Sequence, residues 1–171
     1  TPVSLVLGAN TVTWTVTDGA GLTATSTQTV TVVDNQIPTI ATLTAITVNS
    51  DTGVCTYASS QLTAPTTGDN CSVASVVATP VSLVLGANTV TWTVTDGSSN
   101  TNTSTQIVTV EDNEDPTITC AAAQSQTADA LSCDAVVTVV APTFGDNCTT
   151  ATITNSFNGT ADASGTYPLG A

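Results

Sequence analysis

An internal repeat constrains this chain more than any other feature. The segment Thr1–Gly19, TPVSLVLGANTVTWTVTDG, recurs letter for letter at Thr79–Gly97, an offset of 78 residues. Farther along, STQTVTVVDNQIPTI at Ser26–Ile40 is matched by STQIVTVEDNEDPTI at Ser104–Ile118. Self-similarity at a fixed period indicates that one structural unit is built several times along the chain.

The repeat predicts three modules, of which only the middle one is complete. GDNC at Gly68–Cys71 recurs at Gly145–Cys148, and Cys55 recurs as Cys133. The last residues, Leu169–Ala171, match an earlier Leu-Gly-Ala that leads into a strand. We therefore expect a piece of a longer protein, cut inside a module at both ends, with its targeting signals elsewhere. The predicted parts are the C-terminal half of one module (1–36), a complete module (37–114) and the N-terminal part of a third (115–171).

Apolar and polar residues alternate in the way that β-strands require. Between Thr89 and Asp96, Trp92 and its valine neighbours alternate with threonines. A period of two places the apolar residues on a buried face and the hydroxyls on the opposite face. Trp14 and Trp92 are therefore predicted core residues rather than sugar-stacking ones.

Similar runs, separated by turn residues, recur along the chain. Asp96–Asn100 has the composition of a hairpin turn. Further strands are predicted at Thr105–Val110, Ala135–Val140 and Thr150–Thr154, and no stretch has a helical period. About seven short strands in each repeat predict an all-β fold, a small β-sandwich.

The charge balance excludes several functions. The chain has no Lys, Arg or His, and its 13 acidic residues give a net charge of −13. Binding of nucleic acids and of anionic membranes depends on cationic side chains, so we expect neither. We also predict that the protein is not an enzyme, because it lacks a His or Lys base and an Arg clamp; a carboxylate pair is the remote exception.

The motifs together resemble those of a known family, the hyalin repeat (HYR). They are Pro116–Ile118, Cys120, Cys133, Asp146–Cys148 and the long segment Leu85–Asp96. The resemblance covers the whole chain and implies tandem immunoglobulin-like β-sandwich modules of about 78 residues. The Thr-rich, nearly charge-free version is similar to the giant SprB-type surface adhesins of gliding Bacteroidota. That likeness implies a secreted, extracellular protein at the cell surface.

The family pattern also implies a disulfide arrangement. Four cysteines are typical of an HYR module, and the complete module keeps only the middle two, which implies that these two pair with each other. The implied pairs are Cys55–Cys71 and Cys133–Cys148, with Cys120 bonded to a cysteine beyond the fragment. The presence of cysteines in a chain without His also favours disulfides over a zinc site. Disulfides in turn indicate an oxidising compartment.

Acidic residues cluster where one module meets the next. In a sandwich, the loops that carry Asp69 and Asp96 would face the first junction, and the loop of Asp146 would face the second. Converging oxygens are what Ca²⁺ requires, although Asp-Asn pairs also simply form turns. The only cofactor predicted is therefore a possible Ca²⁺, and its candidate ligands are Asp34, Asn35, Asp69, Asp96, Asp112, Glu114, Asp115 and Asp146.

Three functions fit the sequence. The first is a structural stalk or spacer that bound Ca²⁺ would stiffen, and its partners are further copies of the module in the same chain or neighbouring chains in a filament. The second is an adhesive module that itself binds glycans or surfaces. The third is ice binding through Thr-x-Thr ladders, which thermal hysteresis would reveal. None of these involves nucleic acid or direct membrane contact.

Overall fold

The computed structural model describes residues 4–168, which form an all-β structure and confirm that prediction. Within this range the only helical element is a 3-10 turn at Ser59–Gln61, so no helix there could cross a membrane. The matching ends at Thr1–Val3 and Leu169–Ala171 lie outside the described residues. The strands are β1 Gly8–Thr17, β2 Thr23–Val32, β3 Thr39–Ile40, β4 Ile46–Asn49, β5 Thr56–Ala58, β6 Thr67–Gly68, β7 Val73–Thr79, β8 Ser82–Val84, β9 Gly86–Asp96, β10 Thr101–Glu111, β11 Thr117–Thr119, β12 Asp134–Val137, β13 Thr143–Gly145 and β14 Gly165–Pro168.

The first two strands form a hairpin that is a sheet of its own. β1 and β2 pair antiparallel in continuous register, with Trp14 opposite Ser26. Asp18 closes the turn because its Oδ1 accepts hydrogen bonds from the amides of Ala20 (2.9 Å) and Leu22 (2.8 Å). A side chain that caps its own turn in this way is typical of aspartate.

The longest strands belong to a four-stranded sheet in the order β4-β10-β9-β7. β7 is antiparallel to β9, with Ala78 opposite Trp92. β4 is parallel to β10, with Ile46 opposite Val108. The predicted turn between β9 and β10 is present, since the Asp96 amide donates to the Asn100 carbonyl at 3.0 Å.

Four short strand pairs complete the structure, and the two pairs in one repeat correspond to the two pairs in the next. β3 pairs with β6 and β11 pairs with β13, in matching parts of successive repeats. β5 pairs with β8, with Tyr57 opposite Leu83. β12 pairs with β14 in the equivalent register, with Ala135 opposite Tyr167. The same local pairings therefore form in successive copies of the repeat.

The alternation predicted for β9 and β10 is confirmed, but only one of the two tryptophans is buried. Val90 and Val94 have no exposed surface, and Trp92 is 3% exposed. Trp14 is 63% exposed, so its assignment to the core was wrong for the described structure. The reason is that β1 and β2 have no flanking strands within residues 4–168, whereas β9 and β10 lie between β7 and β4.

Two strand predictions in the third repeat need correction. The run at Ala135–Val140 is a strand only in part, because β12 ends at Val137. The run at Thr150–Thr154 is not a strand. Threonine and β-branched residues favour strands only when a neighbouring strand completes the hydrogen bonds. The composition there predicts a strand that has no partner among the described residues.

Contacts between residues group the chain into two compact units. One contains the residues up to Ala45 together with Ser59–Val81 and Thr89–Ile107. The other contains Ile46–Ala58, Ser82–Asn88 and the residues from Val108 onward. These bounds differ from those of the sequence repeats, and the module boundaries at 36/37 and 114/115 stay a prediction.

Candidate junction sites

The first junction brings two carboxylates and a thiol together. Asp34 follows β2, and Asp69 and Cys71 follow β6. One ligand atom from each of the three side chains lies within 4.8 Å of the other two. Within residues 4–168 this is the only such group of three potential metal ligands. The loops that the repeat predicts to converge therefore do so at this junction.

Two oxygens of this group are buried without a hydrogen-bond partner. Asp34 is 9% exposed; its Oδ1 accepts from the Gln36 amide at 3.0 Å, while its Oδ2 has no partner in the described chain. Asp69 Oδ2 accepts from the amides of Cys71 (2.8 Å) and Ser72 (3.0 Å), while its Oδ1 is buried and unpaired. Buried carboxylate oxygens are costly unless a proton donor or cation compensates them.

Asp96 lies beside this group but is engaged in its own turn. Its Oδ1 accepts from the amides of Ser98 (2.9 Å) and Asn100 (2.8 Å), and its Oδ2 accepts from Asn100 Nδ2 (2.8 Å). Burial opposes ionisation, but these hydrogen bonds outweigh it and lower the pKa of Asp96. Asn100 Nδ2 also donates to the Asp34 carbonyl at 3.2 Å, so the turn holds the junction in place. Asn35 is exposed.

The thiol at the first junction faces negative charge. Although Cys71 is exposed, partial loss of solvation raises the pKa of its thiol, and the carboxylates of Asp34, Asp69 and Asp96 raise it further. A protonated thiol is a poor ligand for a hard cation such as Ca²⁺, which takes oxygen ligands. The residues that fit a cation here are therefore Asp34 and Asp69.

The second junction has more carboxylates but a looser arrangement. Asp112, Glu114 and Asp146 line a cavity of about 430 Å³. Glu114 Oε2 accepts from the Gly53 amide at 2.7 Å. Hydrogen bonds from Thr149 and Cys148 engage Asp146 Oδ2 and lower the pKa of Asp146. Asp115 is exposed and does not line the cavity.

The cysteines are free thiols in the described structure, and the disulfides that the family pattern implies stay a prediction. All five are free thiols, so neither Cys55–Cys71 nor Cys133–Cys148 is bonded in this structure. Cys148 instead lies beside Cys55 of the preceding repeat, whose Sγ donates to the carbonyl of Asn147 at 2.6 Å. No spacing rule pointed to this contact, because it joins residues more than 90 positions apart.

Comparison with models of known protein families finds no match, and comparison with curated proteins finds none either. The resemblance to the HYR family therefore stays a hypothesis carried by the motifs alone.

Proposed function

We propose that the chain is a piece of a structural stalk, in which tandem immunoglobulin-like modules act as spacers in a secreted cell-surface adhesin or extracellular filament. The observation that carries the proposal is the recurrence of the same side-chain hydrogen bonds in successive repeats. A chain that builds one unit repeatedly supplies length, and its stability is a sum of repeat and neighbour contributions.

An asparagine near the start of the first strand of each hairpin illustrates this recurrence. Asn10 Oδ1 accepts from the Val6 amide at 3.0 Å, and its Nδ2 donates to the Val6 carbonyl at 2.7 Å. Asn88 forms the same two bonds with Val84, at 3.0 and 2.6 Å. In both copies, Nδ2 also donates to the carbonyl of the glycine two residues earlier. That glycine has a positive φ, 93° at Gly8 and 90° at Gly86, a conformation that favours glycine.

The loop of the GDNC motif recurs in the same way. Asp69 Oδ2 accepts from the amides two and three residues later, and so does Asp146 Oδ2. Thr39 Oγ1 donates to the Gly68 carbonyl at 2.9 Å, and Thr117 Oγ1 donates to the Gly145 carbonyl at 3.2 Å. Sequence identity thus corresponds to identity of local structure.

The strand order supports the immunoglobulin-like part of the proposal. β7, β9 and β10 are neighbours in one sheet, while the intervening β8 pairs with β5 elsewhere. A strand that leaves its sequence neighbours to join another sheet is what a Greek-key sandwich requires. The extracellular location rests on the family resemblance and on cysteine use.

Calcium binding at the first junction is a refinement of the stalk proposal. The unpaired Oδ2 of Asp34 and Oδ1 of Asp69 support it, because carboxylate oxygens are the ligands that Ca²⁺ prefers. The chain has no Lys, Arg or His to neutralise these groups. An external cation would supply the positive charge that the side chains lack.

The spacer function is tested by adding repeats. Chains carrying one, two and three copies of residues 37–114 are compared by small-angle X-ray scattering. A stiff stalk predicts that the maximum dimension grows by a constant increment per copy. Growth with the square root of copy number would indicate a flexible string and count against the stalk. Binding of the chain on a glycan array would favour the adhesive function instead.

A further inference from the structure

Cys55 and Cys148 face each other across two successive repeats. Cys55 Sγ donates to the carbonyl of Asn147, the residue before Cys148, at 2.6 Å. Cys148 Sγ lies 3.7 Å from the carbonyl of Val54, the residue before Cys55. Each thiol therefore reaches the backbone that carries the other.

One hydrogen bond joins the two segments that carry the pair, and others fix the segment that carries Cys55. Asn147 Nδ2 donates to the Val54 carbonyl at 3.4 Å. Nearby, the Gly53 amide donates to Glu114 Oε2 at 2.7 Å, and the Ser50 amide donates to the Glu111 carbonyl at 2.8 Å. Both cysteines are half-buried.

We infer that Cys55 and Cys148 form a disulfide that joins the middle repeat to the repeat that follows it. A disulfide needs Cα atoms about 4.4–6.8 Å apart and Cβ atoms that point toward each other. Each sulfur already contacts the carbonyl beside the other cysteine, which brings the two thiols to the same point. The link replaces the pairs within single modules, Cys55–Cys71 and Cys133–Cys148, that the family pattern implies.

The oxidation requires an external disulfide as electron acceptor, either a thiol–disulfide oxidoreductase or oxidised glutathione. One cysteine thiolate attacks the acceptor, forms a mixed disulfide and releases one acceptor thiol. The second cysteine thiolate then attacks the mixed disulfide and releases the other. Two S–H bonds become one S–S bond, and the acceptor takes the two electrons and the two protons.

The environment makes the uncatalysed reaction slow. Burial raises the pKa of Cys148 to about 11, and the hydrogen bond with Cys55 adds to this effect. The thiolate is the reacting form, so little of Cys148 reacts at neutral pH. Oxidation in vitro is therefore carried out at about pH 8.5 over hours.

The other cysteines supply matched controls. By their repeat positions, Cys71 corresponds to Cys148, and Cys133 corresponds to Cys55. If the spacer proposal is also correct, each would join a cysteine of an adjacent repeat in a longer array. In the present chain both are exposed thiols and should remain free.

Peptide mapping of the whole chain identifies the pairing. The chain is oxidised with glutathione, free thiols are alkylated, and cleavage is directed before aspartate, because the chain has no Lys or Arg for trypsin. This cleavage places each cysteine in a separate peptide: Asp51–Gly68, Asp69–Thr95, Asp115–Ala128, Asp129–Cys133 and Asp146–Ala161.

A cross-linked species joining Asp51–Gly68 to Asp146–Ala161 in most molecules is the expected result. The same species should persist in the double variant Cys71→Ser/Cys133→Ser and vanish in Cys55→Ser. A link between Asp51–Gly68 and Asp69–Thr95 would overturn the inference. So would complete alkylation of Cys55 and Cys148 after oxidation. This map does not depend on the spacer function, so either proposal can fail alone.

A second readout covers the case in which a variant folds poorly. Reductant should lower the melting temperature of the oxidised wild-type chain by on the order of 10 °C, because the link closes a long loop. The Cys71→Ser/Cys133→Ser variant should show the same fall. Equal melting temperatures with and without reductant in the wild-type chain would contradict the link.

Discussion

Two hairpins with nearly the same sequence occupy different surroundings. In both, the tryptophan indole donates to a glutamine at 3.1 Å, from Trp14 to Gln28 and from Trp92 to Gln106. In both, an asparagine caps the approach to the first strand. Yet Trp14 is 63% exposed and Trp92 is 3% exposed. The hydrogen bonds are local, while burial is not.

The difference lies in the flanking strands. β7 lies beside β9 and β4 lies beside β10, whereas β1 and β2 form a sheet without neighbours among the described residues. The sequence of a hairpin therefore determines its register and turn. Burial of its apolar face depends on strands from the preceding part of the repeat. The comparison predicts that local bonds contribute equally in the two copies and that core residues contribute unequally.

The largest expected effect is the asymmetry between the two tryptophans. Trp92→Ala should reduce the free energy of unfolding by about 3–5 kcal/mol, because it empties a buried site. Trp14→Ala should change it by less than about 0.5 kcal/mol, as is usual for exposed positions. Urea unfolding followed by circular dichroism measures both. Equal losses would show that Trp14 is buried in solution.

The next largest effect is a calcium-dependent rise in melting temperature, which should depend on the first junction and not on the second. At about 100-fold excess over its dissociation constant, a bound cation adds about 2.7 kcal/mol, which corresponds to a rise of several degrees in melting temperature. Asp34→Asn/Asp69→Asn should abolish this rise, because those carboxylates carry the unpaired oxygens.

The matched control for calcium is Asp112→Asn/Asp115→Asn at the second junction, which should retain the rise. Scans with calcium and with excess EGTA provide the measurement. A rise that only the second pair abolishes would move the site to the more acidic junction. No rise in the wild-type chain would leave Asp34 and Asp69 as turn residues.

A smaller effect tests the claim that local bonds are equal. Asn88→Ala removes the partners of the Val84 amide and carbonyl, and Asn10→Ala does the same for Val6. A hydrogen bond of this kind contributes about 1–1.5 kcal/mol. Amide exchange at Val84 and at Val6 should therefore accelerate by about 10-fold in the respective variants. Nuclear magnetic resonance exchange rates report this. Acceleration confined to Val84 would mean that the second hairpin alone is ordered.

The sequence predicted what short-range chemistry determines and little beyond it. The alternation around Trp92 and the turn at Asp96–Asn100 follow from period and side-chain capping, and both are present. Trp14 was assigned wrongly because two identical sequence segments need not have the same neighbouring strands. The contact of Cys55 with Cys148 could not be predicted, because it depends on how one repeat packs on the next.

The smallest effect concerns acid. Burial alone would raise the pKa of Asp96, but hydrogen bonds from Asn100 and Ser98 lower it below its ordinary 3.8. A carboxyl with a lowered pKa in the folded state contributes stability that is complete above its unfolded pKa and is lost as pH falls through the folded value. Urea midpoints measured from pH 6 to pH 2 should therefore fall less steeply below about pH 4 in Asp96→Asn than in the wild type. Asn100→Ala, which removes the side-chain donor, should make the fall smaller and end it at a higher pH than in the wild type. If the urea midpoints of both variants depended on pH as those of the wild type do, the hydrogen bonds of the turn would not stabilise the Asp96 carboxylate more than water does. The order of the second hairpin would then depend on burial alone.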